Sequence, residues 1–499
     1  MKTPSQLKIV ICAWSGRLSF IILLALLLTG CVVGPDYKKP QVAAPPDWGW
    51  KLAQPSDAAI KSDWWELFQD PVLDQLETQA TGTNQLLQIA VAHVDQARAV
   101  ARIAESHFFP QLSFDPSINS FHTQLNHVPS ELTATAYTIP LDLSYEVDLW
   151  GKIRRSFQSA QAQADANVAD YYNVLLTLHG DVAVNYFLLR QLDAQITLLN
   201  ETLALRQNSV QITAERYHTG LASELDLDLA RTQLAKTKTL VTETQRQRDD
   251  LQNALALLCG QPAATFQIKP GTLDELLPAI PVGLPSALLE RRPDVAEAER
   301  KMAAANAQIG VAKAAFFPAI TLTGGAGYSS FNAGNLLNWE SQLFQIGPSA
   351  ALPIFNGGRL KAGLKEAQAN YQATCASYRQ QVLIAFKDVS DSLVDLDSYG
   401  QQVVSETDAV DAANRAANVS RERYKRGLIN YLDVLDSERT QLETQSKAIQ
   451  IHALQLVSTV HLIKALGGGF EAGSLATDGT RLGKNNHPTA AATTASAKH

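Results

Sequence analysis

The stretch that decides the fold is YTIPLDLSYEVDL, at residues 137–149. Apolar and polar side chains alternate along it, and the apolar set is Tyr137, Ile139, Leu141, Leu143, Tyr145, Val147 and Leu149. Successive side chains of a β-strand point to opposite faces of the sheet, so this period of two predicts a strand with one apolar and one polar face. We expect the strand near residues 132–149.

A second alternating stretch predicts a strand near residues 342–355, and weaker patterns predict partner strands near 111–122 and 319–329. Alternating strands of about ten residues are typical of transmembrane β-barrels. The smallest such barrels have about eight strands, and an open edge in lipid leaves each unpaired backbone group unsatisfied at a cost of several kcal/mol. Unless these strands are soluble, several copies of the chain must therefore associate to close a shared barrel.

The sequence is a tandem duplication. Phe108-Phe109-Pro110 returns as Phe316-Phe317-Pro318, the segment 216–221 returns as 423–428, and the segment 231–234 returns as 439–442. The landmarks keep their order at a spacing of about 208 residues, far above a solenoid period, so each copy is a whole supersecondary assembly. We place the first copy at 70–270 and the second at 285–467, each with a helix, two strands, a long helix, a tight turn and a helix.

Each copy contains one very long helix. From Gly151 to His218 no proline occurs, and apolar or small residues recur with a mean step of about 3.57, between the periods of a straight helix and a coiled coil. The pattern repeats from Leu360 to Tyr424. At ~1.5 Å per residue such helices reach on the order of 100 Å, too long for a globular core, so they should pack side by side into a bundle or tube.

The N-terminus has the features of a bacterial lipoprotein signal at residues 1–30: basic residues, a short apolar run at 18–28, and small residues before Cys31. The run is shorter than the ~20 residues that span a bilayer. Leu28-Thr29-Gly30-Cys31 resembles a lipobox, which predicts a lipid on the Cys31 thiol. The alternative is an ordinary signal peptide with an incidental cysteine. Several acyl chains anchor stably, and Val32 in place of Asp favours the outer membrane. Residues 31–69 would then hold the anchor and an extended segment.

The composition and motifs exclude several classes of function. A net charge of −7 argues against nucleic acid as a partner. No HExxH, CxxC or phosphate-binding loop occurs, so we predict a non-enzyme with no metal site and no cofactor except the covalent lipid. Cys259 and Cys375 would either form a disulfide or be two small buried apolar residues, and their helical surroundings favour the second. Residues 468–499 are predicted to be a disordered tail.

Several motifs carry a family resemblance. They are Cys31-Val32-Val33-Gly34-Pro35-Asp36-Tyr37, Trp64-Trp65 with Asp70-Pro71, Arg291-Arg292-Pro293-Asp294-Val295, and Ile309-Gly310-Val311-Ala312 with Phe317-Pro318. From the lipobox to about Gly467 the chain resembles the TolC-like outer membrane factors, in particular the NodT-type efflux lipoproteins. The resemblance implies a mainly α fold with a β membrane part: a homotrimer whose α-helical barrel is capped by a shared 12-stranded transmembrane β-barrel, with four strands from each chain.

The resemblance also implies a function and partners. The chain is expected to be a passive channel in the cell outer membrane that extends into the periplasm. It would expel small molecules together with a periplasmic adaptor protein and an inner-membrane pump of the RND type, in contact with outer-membrane lipids. Its substrates remain open, because the pump chooses the cargo.

The resemblance makes the two tight turns the candidate docking sites for the adaptor, and they comprise Thr219, Gly220, Leu221, Arg426, Gly427 and Leu428. Glycine supplies the left-handed conformation that ends a helix. Asp433 and Asp436 lie where the family has an acidic constriction, and three copies would form stacked carboxylate rings that attract cations. Tyr424 and Asp226 match positions whose links close this gate. The alternative for the two aspartates is that they only stabilise a helix N-terminus capped by Asn430.

Two other functions remain as alternatives. An outer-membrane duct of a type I protein-secretion system would share the architecture but is less often lipidated. A periplasmic coiled-coil scaffold lipoprotein would use the long helices without making a pore, although it does not need two pairs of alternating strands at matched places in a duplication.

Overall fold

The computed structural model describes residues 32–39, 62–124, 131–273, 277–278, 280 and 291–470. In these ranges a 3-10 helix at Trp64–Phe68 is followed by helices α1 (Pro71–Thr83), α2 (Gln85–Ser106), α3 (Lys152–His218), α4 (Glu224–Leu258), α5 (Pro293–Ala314), α6 (Arg359–Lys425) and α7 (Tyr431–Ala465). The strands are β1 (Gln111–Phe114), β2 (Ser117–Gln124), β3 (Glu131–Val147), β4 (Ala319–Ser330) and β5 (Gln342–Ala351). The signal sequence, Cys31 and most of the predicted tail lie outside the described residues.

The strands form one antiparallel sheet in the order β1-β3-β4-β5, and β2 also pairs with β3. The single strand expected near 111–122 is therefore two strands. They are separated at Asp115-Pro116, where proline has no N–H to donate to the ladder. The strand expected near 342–355 already ends at Ala351, and Pro353 follows it.

The two long helices α3 and α6 each have 67 residues, and the helices that return from them, α4 and α7, each have 35. Equal lengths in the two halves are the structural counterpart of the tandem duplication. We call α3 with α4 the first helical hairpin and α6 with α7 the second.

The opening helix of the first copy is interrupted, which the sequence pattern did not indicate. Asp70 caps α1, and its carboxylate accepts from the main-chain N–H of Val72 (2.8 Å). α1 then ends at Asn84, whose side-chain amide donates to the main-chain oxygen of Leu258 (2.9 Å) and accepts from the N–H of Leu87 (3.1 Å). One asparagine therefore ends α1 and caps α2.

The chain forms two compact units, and each takes residues from both sequence copies. Among the described residues, the first unit comprises those within 1–41, 94–167 and 298–378, and it contains the sheet. The second comprises the described residues within 42–93, 168–297 and 379–499. Its core packs Trp64, Trp65 and Phe68 against Phe187 and Leu456.

The two cysteines in the described residues are both free, so the disulfide alternative does not hold. Cys259 is buried, as expected, and its burial raises the pKa of the thiol to about 11. Cys375 is only half-buried, so it does not fit the expectation of a core residue.

Candidate functional site

The sheet of the first unit has an apolar face that a single chain leaves exposed. Side chains directly opposite each other on paired strands lie on the same face. The register therefore builds two apolar rows across the sheet, Leu112-Leu143-Gly324-Ile346 and Phe114-Leu141-Ala326-Phe344. Phe344 is 77% exposed and Ile346 is 79% exposed. A face of this size that water contacts needs another apolar phase or a partner to cover it.

The opposite face of the sheet is polar, and the two edges of the sheet are unpaired within the described residues. Ser113, Asp142 and Gln345 share one row of the polar face. Among the described strands, β5 is paired on one side only, and β1 and β2 are paired only with β3. The sheet thus presents two edges whose backbone groups are available to another strand.

Both helical hairpins turn through the same backbone structure. Gly220 and Gly427 each have φ of +74°, which suits glycine. The N–H of the next residue, Leu221 or Leu428, donates to a main-chain oxygen five positions back, at 2.7 Å and 2.9 Å, and the glycine N–H donates three positions back. These bonds form a Schellman motif that satisfies the last carbonyls of α3 and α6.

The predicted docking residues lie in these turns. Leu221 is 70% exposed and Leu428 is 67% exposed, although leucine normally avoids water. Thr219 donates its hydroxyl to the main-chain oxygens of Glu215 and Arg216, and Arg426 is exposed. The glycines cap the helices, and each turn leaves one apolar side chain pointing into solvent.

Tyr424 lies in a small apolar cluster beside the second turn, with Tyr431, Val434 and Ala230. The ring centroids of Tyr424 and Tyr431 are 5.4 Å apart. Burial raises the pKa of Tyr431. Because Ala230 belongs to α4 and the others to α6 and α7, the cluster joins the two hairpins of one chain.

The three acidic gate candidates each have a local partner. Asp226 accepts from the N–H and the hydroxyl of Ser223, at 3.1 Å and 2.9 Å, in a capping box at the start of α4. Asp433 accepts from the N–H of Asn430 at 3.3 Å. Asp436 pairs with Arg439 at 2.8 Å, and both side chains are exposed. The structure therefore uses Asp226 and Asp433 at their own helix starts.

The sequence analysis did not predict a cluster of charged side chains on the helices next to the turns. Arg206 donates to the main-chain and side-chain oxygens of Gln233, at 3.1 Å and 2.8 Å. Nε of Arg421 lies 3.4 Å from Glu438 Oε1. Burial raises the pKa of Glu438, while Arg421 and Arg206 act in the opposite direction. The available signal was Glu438 itself, because it follows Tyr431 and Val434 on the buried face of α7.

The GPDY motif is Gly34–Tyr37, and the segment 33–37 packs along the surface of the first unit. We call this segment the strap. The N–H of Val33 donates to the main-chain oxygen of Trp150 (3.1 Å), and Asp36 accepts from Arg155 (2.7 Å). Tyr37 donates its hydroxyl to Glu299. A Cβ on Gly34 would lie 2.6 Å from the Cα of Gly310, so both glycines permit this close approach. The strap explains why these motif residues occur together.

The RRPDV motif forms an ion-pair group in the second unit. Arg292 is buried and pairs with Asp294 (2.5 Å) and Asp388 (3.1 Å), and it donates to the main-chain oxygen of Ala465 (3.2 Å). The two carboxylates help to raise the pKa of Arg292 against its burial. The motif is thus a structural link between α5, α6 and α7.

No helix among the described residues has the length and apolar composition needed to cross a membrane. The described ranges also hold no group of three or more His, Cys, Asp or Glu side chains that could bind a metal ion.

A sequence profile described as "Outer membrane efflux protein" matches residues 76–261 and 284–468, one segment in each copy of the duplication. The chain belongs to the outer membrane efflux protein family.

Individual members of this efflux family match nearly the whole chain. The toluene efflux pump outer membrane protein TtgI of Pseudomonas putida is 35% identical over 460 residues, which cover 89% of this chain and 97% of TtgI. The probable outer membrane lipoprotein SilC of Salmonella typhimurium is 32% identical over 449 residues, covering 89% and 97%. The crystal structure of the Campylobacter jejuni CmeC outer membrane channel superposes with a TM-score of 0.83 at 25% identity, covering 91% and 99%.

These likenesses confirm the family predicted from the motifs and the mainly helical fold with a β part. The chain is an efflux protein of the outer membrane, and it provides the channel component of an efflux system that expels small molecules.

Proposed function

We propose that three copies of the chain form one duct through the outer membrane and that an adaptor and an inner-membrane pump connect to its helical hairpins. The observation that carries this proposal is the open sheet, whose exposed apolar face ends in two unpaired edges. In lipid each unpaired backbone group costs several kcal/mol, so β5 of one copy pairs with β1 and β2 of the next.

The number of strands fits a closed barrel. β1 and β2 share one position beside β3, so each chain contributes four positions across the sheet. Three chains then supply about twelve positions, above the minimum of about eight for a membrane barrel. The apolar rows face lipid, and the row with Ser113, Asp142 and Gln345 faces the lumen. A scaffold without a pore would leave these rows in water.

A lipid on Cys31 anchors each copy. Cys31 lies outside the described residues, but the strap that follows it is held at Trp150 and Arg155 from Val33 onward. The relative SilC is named a lipoprotein, which supports the same modification here. Because several acyl chains bind a membrane stably, the anchor holds the chain at the outer membrane.

The two helical turns are the docking sites for a periplasmic adaptor, and the pump of the inner membrane, of the RND type, selects the cargo. Exposed Leu221 and Leu428 offer apolar contacts to the adaptor. TtgI is named for toluene, so small apolar organic molecules are the first cargo to test. The duct itself catalyses no reaction.

Gating is assigned to Asp433, Asp436, Tyr424 and Asp226 near the turns. Three copies of the exposed Asp436 would bring carboxylates together on the duct axis, where mutual repulsion opposes closure and cations are attracted. The buried cluster around Tyr424 keeps the two hairpins of one chain together while the opening between the three copies changes width.

Deletion of the gene in its own host tests the proposed function. Loss of the duct is expected to raise cellular accumulation of a panel containing toluene, a hydrophobic dye and an antibiotic, and plasmid-borne wild-type chain should restore efflux. A Cys31→Ser variant should restore less, because it lacks the anchor. Unchanged accumulation of every compound in the panel after deletion would contradict the proposal.

A further inference from the structure

Arg216 joins the two helical hairpins of one chain. Its Nη1 donates to the main-chain oxygens of Tyr424 (3.0 Å) and Lys425 (3.3 Å), the last two residues of α6. Its guanidinium carbon lies 4.9 Å from the centroid of the Tyr424 ring. The last carbonyls of a helix carry the negative end of its dipole, so both the carbonyls and the ring attract this cation. We call this contact the hairpin clasp.

The duplication supplies a second set of clasp residues. Arg423 has on α6 the position that Arg216 has on α3, and Tyr217 matches Tyr424 in the same way. Both turns have the same hydrogen bonds and the same glycine φ of +74°. The C-terminus of α3 therefore offers a guanidinium the same carbonyls and the same aromatic ring as the C-terminus of α6.

This second set is unused within one chain. Tyr424 is only 8% exposed, but Tyr217 is 38% exposed. Arg423 is exposed, and among the described residues its side chain has no hydrogen bond or ion pair. The hydroxyl of Thr213 lies 3.5 Å from the Tyr424 hydroxyl. Its repeat equivalent, Ser420, differs from it and resembles Arg423, because the Ser420 side chain has no hydrogen-bond partner in the described ranges.

We propose that Arg423 of one copy completes a second clasp on Tyr217 of the next copy, with its guanidinium bonded to the main-chain oxygens of Tyr217 and His218. The partner is thus a second copy of this chain. The inference rests on the proposed trimer, in which the first hairpin of one copy follows the second hairpin of its neighbour. Clasps within chains and between chains then alternate round the ring of hairpins.

The second clasp has a distinct role in the duct. The Arg216 clasp keeps both hairpins of one chain together, whereas the Arg423 clasp is the contact that must break or lengthen when neighbouring chains separate at the turns. Arginine suits this position, because its planar fork can bond two carbonyls and stack on a ring at the same time.

Cysteine crosslinking in isolated outer membranes tests the proposal. The background chain carries Cys259→Ala and Cys375→Ala and keeps Cys31 for the lipid. Tyr217→Cys combined with Arg423→Cys, treated with a short bis-maleimide, is expected to give covalent trimers on a denaturing gel. Either cysteine alone can give at most covalent dimers. Arg216→Cys with Lys425→Cys is the matched control and should crosslink within one chain, without an increase in mass.

A native gel of the same samples separates failure of the clasp from failure of the duct. Trimers on the native gel with no covalent trimer after crosslinking would overturn the second clasp and leave the duct in place. Monomers on the native gel for the background chain would overturn both, because the clasp needs a neighbouring copy.

Discussion

Asp433 and Asp436 are proposed to attract cations in the channel, and the alternative is that their charges only stabilise the start of α7. Asparagine keeps the size and the hydrogen-bond acceptor of each residue but removes the charge. Asp433→Asn with Asp436→Asn is therefore expected to lower the cation preference of the channel several-fold, because the rings of carboxylates are lost. Reversal potentials across a salt gradient in planar bilayers measure this preference.

Asp408→Asn with Asp411→Asn is the matched control for the gate. These residues have the same spacing, and both are exposed on α6. The control should keep the wild-type reversal potential. If both pairs shift it equally, the effect belongs to net charge and the gate assignment fails.

Arg292 should be one of the most sensitive single residues in the second unit. Arg292→Met leaves Asp294 and Asp388 without their cation and removes the bond to Ala465. We expect a loss of about 2–4 kcal/mol in the free energy of unfolding, since breaking a buried pair leaves uncompensated charge. Urea unfolding in detergent measures it. Arg291→Met, a half-buried neighbour, should change stability by less than about 0.5 kcal/mol, and an equal loss in both variants would contradict the assignment.

His179 predicts a pH dependence of stability. Its Nδ1 lies 2.6 Å from Oε2 of the buried Glu77, burial lowers the pKa of His179 to about 4, and burial raises the pKa of Glu77. A histidine whose folded pKa is lowered contributes full stability above its unfolded pKa of about 6.5 and loses it as the pH falls towards the folded pKa. Between pH 6.5 and 5 we expect the titration of His179 to lower the free energy of unfolding by on the order of 1–2 kcal/mol, and the raised pKa of Glu77 offsets part of this loss.

His179→Gln separates this loss from the titration of other groups. Glutamine can still hydrogen-bond Glu77 but has no charge to gain. Its unfolding midpoint in urea should therefore fall less than that of the wild type between pH 6.5 and 5. Parallel curves for the two proteins would show that His179 does not titrate in this way.

At the residue scale, the sequence located single residues better than it located their contacts. The glycines of the turns follow from the duplication, because a tight turn between two helical patterns needs φ above zero. Arg206, Arg421 and Glu438 did not stand out, because each contacts a residue on another helix, and the sequence pattern does not show which faces of two helices meet. Asp226, Asp433 and Asp436 were singled out by resemblance as gate candidates, while the capping bonds of Asp226 and Asp433 required coordinates.

At the element scale, the exposed leucines of the two turns carry a prediction. Leu221→Ser with Leu428→Ser should leave the fold intact, because both side chains are in water, but should weaken contact with the adaptor. Cells with this variant are expected to be several-fold more sensitive to pump substrates, as measured by growth inhibition. Val404→Ser, which changes an equally exposed residue on α6, is the control. Wild-type resistance in the turn variant, at equal protein level, would rule out docking through these leucines.

Helices and strands were largely predictable because their periods differ. The 67-residue helices keep one apolar spacing without proline, and the strands alternate with a period of two. The breaks at Asn84 and at Asp115-Pro116 were not predicted. A single cap or a missing N–H acts through local hydrogen bonds, which a pattern averaged over many residues does not register.

At the scale of the whole molecule, the duplication determines most of the architecture. Two copies give two hairpins of equal length and two pairs of strand positions, and neither copy can close a barrel alone. What the sequence could not give was the division into compact units, because each unit combines residues from both copies. Long helices contribute to both units, so the boundaries follow spatial packing rather than chain order.

Single-channel conductance of the purified full-length protein in a planar bilayer tests the central claim most directly. A duct predicts discrete steps of uniform size, steady or opening spontaneously, from a preparation that runs as trimers on a native gel. The absence of any steps at any voltage, from trimers whose insertion is confirmed by protease protection of the strands, would contradict a continuous channel through the outer membrane.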